Sequence, residues 1–198
     1  MSAPRPALLL LAAGGSRRMG GRDKLLEPVA GEALIARQAR AGLAAGLRVL
    51  VTLPPGAPAR MAALRGLAVR IVRVADAAEG MGASIRAGVA ALPEAAPGVM
   101  ILPADMPEIG AGDLLVLADA FAATPDSVLR AAAEDGTPGH PVIFPRRLFT
   151  ALARLSGDAG ARALLRGEDV RPIALPGRRA LTDLDTPEEW AAWRAGGG

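Results

Sequence analysis

Residues 14–24, Gly-Gly-Ser-Arg-Arg-Met-Gly-Gly-Arg-Asp-Lys, hold four glycines, three arginines and the only lysine of the chain, Lys24. Every other basic side chain is arginine, so an ammonium point charge is kept at one place where a guanidinium fork is used everywhere else. Glycines let backbone N–H groups approach an anion closely, and Arg17, Arg18 and Lys24 add the charge that a triphosphate requires. These types at this spacing suit phosphate binding. The loop is neither a Walker loop, because Gly20 is followed by Gly21 and Arg22 rather than Lys and Ser/Thr, nor a G-x-G-x-x-G fingerprint. A P-loop kinase or NTPase is thereby disfavoured.

Carboxylates stand at two distant places. Asp105 follows the apolar run Val99–Leu102 and is flanked by Pro103 and Pro107, and Asp183 and Asp185 lie in Thr-Asp-Leu-Asp-Thr-Pro. Each segment also has a plain reading, as a turn-forming aspartate and as helix capping. Brought together, two such carboxylates make a hard-oxygen site for Mg²⁺ that leaves its remaining positions to water and phosphates. Without a cation they would repel. Gly80, Met81, Gly82, Ala83 and Ser84 form a second glycine loop entering a helix, open to a base or ribose or simply a helix start. The sole histidine, His140, sits between Gly139 and Pro141, where a stiff loop and a substrate contact are expected. Gly157–Arg162 reads as a helix start capped by Asp158.

The 198 residues suit one domain, with a core spanning about 7–194. Aromatics are only 3% of the chain, so that core must be aliphatic. The absence of cysteine excludes a disulfide scaffold, a thiolate metal site and a cysteine nucleophile. No G-x-S-x-G elbow supports a serine hydrolase. A net charge of +3 with scattered arginines argues against a nucleic-acid surface and leaves small anions as partners. No apolar run approaches the ~18 residues of a membrane span. A cytoplasmic location is expected.

These residues must be positioned by alternating elements. Leu8–Ala12, Leu47–Leu53, Leu67–Val74, Val99–Leu102, Ser127–Ala132, Val142–Phe144 and Val170–Leu175 read as strands. Helical stretches are expected over Glu32–Ala45, after Pro58, and over Gly82–Leu92, Asp113–Ala123, Arg146–Leu155 and Ala159–Arg166. A terminal helix starts with Thr186 as N-cap and Pro187 at N1. The alternation predicts a three-layer α/β domain with a mainly parallel sheet, whose ligands lie beyond the carboxyl ends of the strands.

Taken in order, Leu11-Ala12-Ala13-Gly14 through Arg18-Met19-Gly20 to Lys24, Gly80–Ser84, Asp105-Met106-Pro107, Gly139-His140-Pro141, Gly157–Arg162 and Asp183–Pro187 resemble the MobA-like NTP transferases, and among them the molybdenum cofactor cytidylyltransferases. The resemblance implies a Rossmann-like nucleotidyltransferase that joins CMP from Mg-CTP to the phosphate of molybdopterin cofactor and releases pyrophosphate. It implies Leu11, Ala12, Ala13, Gly14, Gly15, Gly80 and Ser84 at the nucleotide, and Arg18 and Lys24 at the triphosphate. It places Asp105 and Asp185 at Mg²⁺, with Asp183 as the other candidate, and His140 at the acceptor. It further implies a molybdoenzyme or its insertion chaperone as downstream partner.

Ala13 matches the Ala-Ala-Gly start of the cytidine-using form. The three residues between Gly20 and Lys24 match the guanylyltransferase spacing instead, and Ala104 stands where a glycine often precedes the metal aspartate. A guanylyltransferase, a sugar-phosphate nucleotidyltransferase and a non-catalytic molybdenum cofactor carrier are the alternatives on the same fold.

Overall fold

The computed structural model describes residues 5–157 and 160–197. In chain order the elements are β1 (Ala7–Leu11), a 3₁₀ turn (Lys24–Leu26), β2 (Pro28–Val29), β3 (Glu32–Ala33), α1 (Leu34–Ala44), β4 (Val49–Leu53), α2 (Pro58–Ala63) and β5 (Arg70–Arg73). Then come α3 (Met81–Ala90), β6 (Gly98–Pro103), α4 (Ala111–Ala123), β7 (Val128–Ala132), β8 (Pro138–Pro145), α5 (Phe149–Leu152), α6 (Arg162–Leu165), β9 (Val170–Ala174) and α7 (Pro187–Ala195).

Seven strands form one sheet in the order β5-β4-β1-β6-β8-β7-β9. All its pairings are parallel except those of β8, which runs antiparallel to both β6 and β7. The leucine run of β1 explains its central place: a strand covered on both faces is apolar throughout. Leu8 and Leu10 pack with Ile35 of α1 and Leu114, Leu117 and Phe121 of α4. Leu9 points the other way, to Ile85 of α3 and Leu152 of α5. The result is a three-layer α/β fold with an aliphatic core.

A smaller cluster matters more for the site. Trp190 of α7 is 1% exposed and packs with Met19, Val29, Leu34 and Leu184, so the C-terminal helix holds down the glycine loop that contains Met19. Helix α7 begins as expected, with Thr186 accepting from the Glu189 amide, Glu189 bonding back to the Thr186 amide, and Pro187 in the first turn.

Several expectations are corrected. The start expected for the first helix is taken by the β2–β3 hairpin, which turns at Ala30 and Gly31 with φ of 50° and 82°. His140 belongs to β8 rather than to a loop before it: its amide donates to the Ala180 carbonyl at 2.8 Å, and pairing of Pro138 and of Val142 with β7 carries the strand through its Gly and Pro neighbours. Arg146–Leu155 is a 3₁₀ turn followed by α5, and the helix expected from Ala159 is confined to α6 among the described residues. Asp158, expected as its cap, lies outside the described residues. Among those described, no helix is long and apolar enough to cross a membrane.

Candidate active site

A cavity of about 440 Å³ opens at the carboxyl ends of β1 and β6. Leu11, Ala13, Gly14, Gly15, Arg18 and Lys24 line it from the loop after β1, Gly80 and Ser84 from the start of α3, and Asp105 and Asp185 from the opposite wall. Ala12 does not reach it. Its side chain is in the core, its N–H donates to Thr52 Oγ1 at 3.2 Å and its carbonyl accepts from Arg60. Of the two C-terminal carboxylates, Asp185 faces the cavity, while Asp183 is exposed and not among its lining residues. His140 lines a different, adjoining cavity.

Lys24 Nζ donates to Asp105 Oδ2 and to Asp185 Oδ1, and Arg18 Nη2 donates to Asp185 Oδ2. Two carboxylates 80 residues apart are thus held on one ammonium. Burial by itself would depress the lysine, but the charges and hydrogen bonds of Asp105 and then Asp185 prevail, and its pKa lies above the ordinary value. Lys24 therefore stays charged across the neutral range.

Asp105 is delivered by neighbouring backbone and by one buried amide. The Ala104 N–H donates to the Leu11 carbonyl at 3.0 Å and the Leu184 N–H to the Asp105 carbonyl at 3.2 Å, which ties together the three segments that meet at the site. Gln38 of α1 is fully buried, and its Nε2 donates to the Met106 carbonyl at 2.6 Å and the Ile109 carbonyl at 3.2 Å, fixing the turn after Asp105. Asp105 Oδ1 is buried and has no hydrogen-bond partner among the described residues. An unpartnered buried carboxylate oxygen beside a second carboxylate is the donor set that a hard divalent cation fits. Among the described residues no group of three His, Cys, Asp or Glu side chains gathers into a metal site, so such a cation would have to share oxygens of a bound nucleotide.

The loop itself is organised by residues that sequence reading did not single out. Arg60 of α2 is 5% exposed; it donates to Asp23 twice, at 2.6 and 2.9 Å, and to the carbonyls of Ala12 and Gly14 at 2.7 and 2.9 Å. Asp23 also accepts from the Leu25 amide and from Ser16 Oγ, and Ser16 Oγ in turn accepts from the Lys24 amide at 3.0 Å. Although burial raises the Asp23 carboxyl, the hydrogen bond and charge of Arg60, with help from Leu25 and Ser16, bring it below its ordinary value. Asp23 immediately before Lys24-Leu25-Leu26 is a legible cap. Arg60 carried no local signal, because its partners lie 37 to 48 residues away.

With preorganised cations, glycine N–H groups and paired carboxylates around one cavity, the arrangement can bind a polyphosphate and stabilise charge moving along it. Residues 8–173 match the MobA-like NTP transferase domain. The chain belongs to this family. The chain is similar to the purine catabolism protein PucB of Bacillus subtilis, 31% identical over 96% of both chains. Nicotine blue oxidoreductase of Paenarthrobacter nicotinovorans is 34% identical, covering 91% of this chain and 92% of that one. The crystal structure of Rv0371c from Mycobacterium tuberculosis superposes with a TM-score of 0.84 at 30% identity, over 97% of this chain and 98% of that one. A structure of Rv0371c in complex with manganese is also similar, with a TM-score of 0.79 at 28% identity over 95% and 97%.

Proposed function

We propose that this MobA-like transferase moves CMP from Mg-CTP to the phosphate of molybdopterin cofactor and releases pyrophosphate. One observation carries the reading: Lys24, at the end of the glycine loop, is held jointly by Asp105 and Asp185 inside the cavity of about 440 Å³. With Arg18 also on Asp185, two cations balance two carboxylates, and a cluster of this kind is made to be opened by a polyphosphate that arrives with its metal.

In the reaction, an anionic oxygen of the acceptor phosphate attacks the α-phosphorus of the nucleotide. A P–O bond forms there, the bond to the bridging α–β oxygen breaks, and pyrophosphate departs with that electron pair. The attacking oxygen is already deprotonated, so no general base is required. The loop N–H groups of Gly14 and Gly15 and the side chain of Arg18 hold the triphosphate in line. Lys24 exchanges its carboxylate partners for phosphate oxygens and stabilises the charge that develops on the α-phosphoryl group and the leaving group. Asp105 and Asp185 would hold Mg²⁺, which supplies charge neutralisation to the phosphates. The unpartnered Asp105 oxygen and the manganese complex of Rv0371c both support a divalent ion here.

Ala13, 6% exposed on the cavity wall, favours cytidine through the Ala-Ala-Gly start. The Gly20–Lys24 spacing, with Gly20 and Gly21 at φ of 60° and 86°, is the feature that favours GTP as the alternative. The test is pyrophosphate release with Mg²⁺, molybdopterin cofactor and each nucleoside triphosphate in turn. Cofactor-dependent release with CTP supports the reading, release with GTP alone moves it to guanylyl transfer, and cofactor binding without release makes the chain a carrier.

A further inference from the structure

A second cavity of about 350 Å³ adjoins the first, and Met81 lines both. Its walls include Ile101, Val142 and Phe144 of β6 and β8, each at most 3% exposed, and Ile85 of α3. His140 also lines it, with Nδ1 buried and lacking a partner among the described residues. Arg130, Arg162 and Arg166 line this cavity, and the same three line a further one of about 380 Å³ that reaches Val170 and Pro172 of β9. The glycine-loop cavity, the apolar cavity and the arginines therefore follow one another along the sheet.

What sets these arginines apart is that all three line the same cavities. Arg60, Arg86 and Arg147 each hold a carboxylate, whereas among the described residues no carboxylate pairs with Arg130, Arg162 or Arg166. Arg130 donates to the Gly139 carbonyl at 2.9 Å and the Pro138 carbonyl at 3.3 Å, which orients the guanidinium without neutralising it. Burial, and then the facing charge of Arg162, lower its pKa from the ordinary value. Three un-neutralised cations beside an apolar pocket favour an anionic ligand, because forked guanidiniums bind oxyanions with charge-assisted hydrogen bonds.

We infer that this groove takes the body of the acceptor, and that Arg130, Arg162 and Arg166 bind a second anionic group on it, remote from the phosphate that attacks the nucleotide. The ligand class is a molecule whose body packs against the apolar wall of Ile101, Val142 and Phe144 and that carries an oxyanion at the arginine end. The inference rests on the transferase reading, in which the attacking phosphate lies beside Lys24 and Asp105.

The experiment is a fluorescence titration of the full chain with 1-naphthyl phosphate and with neutral 1-naphthol. The phosphate is expected to bind at least tenfold tighter, and Arg130→Met or Arg162→Met each to weaken it roughly tenfold while leaving 1-naphthol unchanged. Arg130 is tied to two backbone carbonyls, so its loss endangers folding; Arg162→Glu, on an exposed position of α6, keeps the test sound and should abolish the preference for the anion. Equal affinity for the two probes overturns the inference. So does phosphate binding that is indifferent to Arg162→Glu, which would put the probe on the glycine loop. Failure of the transferase reading looks different: no pyrophosphate release from the unmodified protein, with arginine-dependent anion binding intact.

Discussion

Arg60 grips Asp23 through two nitrogens, Nε to Oδ2 at 2.6 Å and Nη2 to Oδ1 at 2.9 Å, and this pair sets the shape of the glycine loop. The remaining nitrogen, Nη1, holds the carbonyls of Ala12 and Gly14. The loop that presents Lys24 is thus fastened from behind by a buried cation. Replacing Arg60 by Met leaves Asp23 and two carbonyls without their partner, and breaking a buried pair is expected to cost about 3 kcal/mol of stability. Arg60→Lys keeps the charge but not the fork, so it should recover part of the stability while KM for the nucleotide stays raised. Urea unfolding and steady-state kinetics on both variants check this. Unchanged stability of Arg60→Met would show that the pair does not fasten the loop.

Lys24 bridges two carboxylates that otherwise face each other. Lys24→Ala should lower kcat/KM by roughly 10²–10³-fold, the range for losing one preorganised charge-stabilising donor. The same variant should gain more thermal stability from added Mn²⁺ or Mg²⁺ than the unmodified protein does, since the cation would replace the missing ammonium between Asp105 and Asp185. Thermal melts with and without metal, beside kinetics, read both effects. Near-normal kcat/KM would remove Lys24 from the chemistry.

The only histidine gives a clean pH prediction. Burial first, then the charge of Arg130, push the His140 pKa down from 6.5 to about 4, against the opposing attraction of Asp105. Between those values the unfolded chain binds the proton and the folded one does not, so stability is complete above about pH 6.5 and falls as pH drops towards 4. The loss amounts to roughly 3 kcal/mol at the acid end. His140→Gln should flatten the profile between pH 4 and 6.5 in denaturant titrations. A slope that survives in this variant would assign it to carboxylates instead.

Gly139 permits β8 to run against the segment that carries Asp185. A Cβ there would lie 1.9 Å from the Ala180 carbonyl oxygen, and the His140 amide bonds to that same oxygen. Gly139→Ala must therefore displace residues 180–185, at a cost of about 1–3 kcal/mol, and should weaken metal-dependent turnover more than nucleotide binding. Calorimetry together with metal titration of turnover tests this. Unaltered metal dependence would show that the approach of β8 does not position Asp185.

The fold was legible where one segment decides its own structure. The leucine run of β1 could only be a strand buried on both faces, and Thr186-Pro187 announced the start of α7. Lys24, Asp105 and Asp185 could be named because each stands beside a predicted strand or helix end, and the structure gathers all three in one cavity. Arg60 and Gln38 were not legible, since a buried polar side chain shows its purpose only through partners tens of residues away. His140 reads as a loop residue because glycine and proline flank it, whereas the bond from its amide to the Ala180 carbonyl and the pairing of Pro138 and Val142 with β7 keep it in β8. Ala12 was expected at the nucleotide with its neighbours, but the alternation of β1 continues one residue further and turns it into the core.

The most direct measurement follows the label of α-³²P-CTP incubated with the protein, Mg²⁺ and molybdopterin cofactor. The account predicts that the label passes to the cofactor in a new phosphoanhydride, with one pyrophosphate released for each cofactor modified. Label that remains in CTP, or that appears as free CMP without any attached to the cofactor, would contradict it.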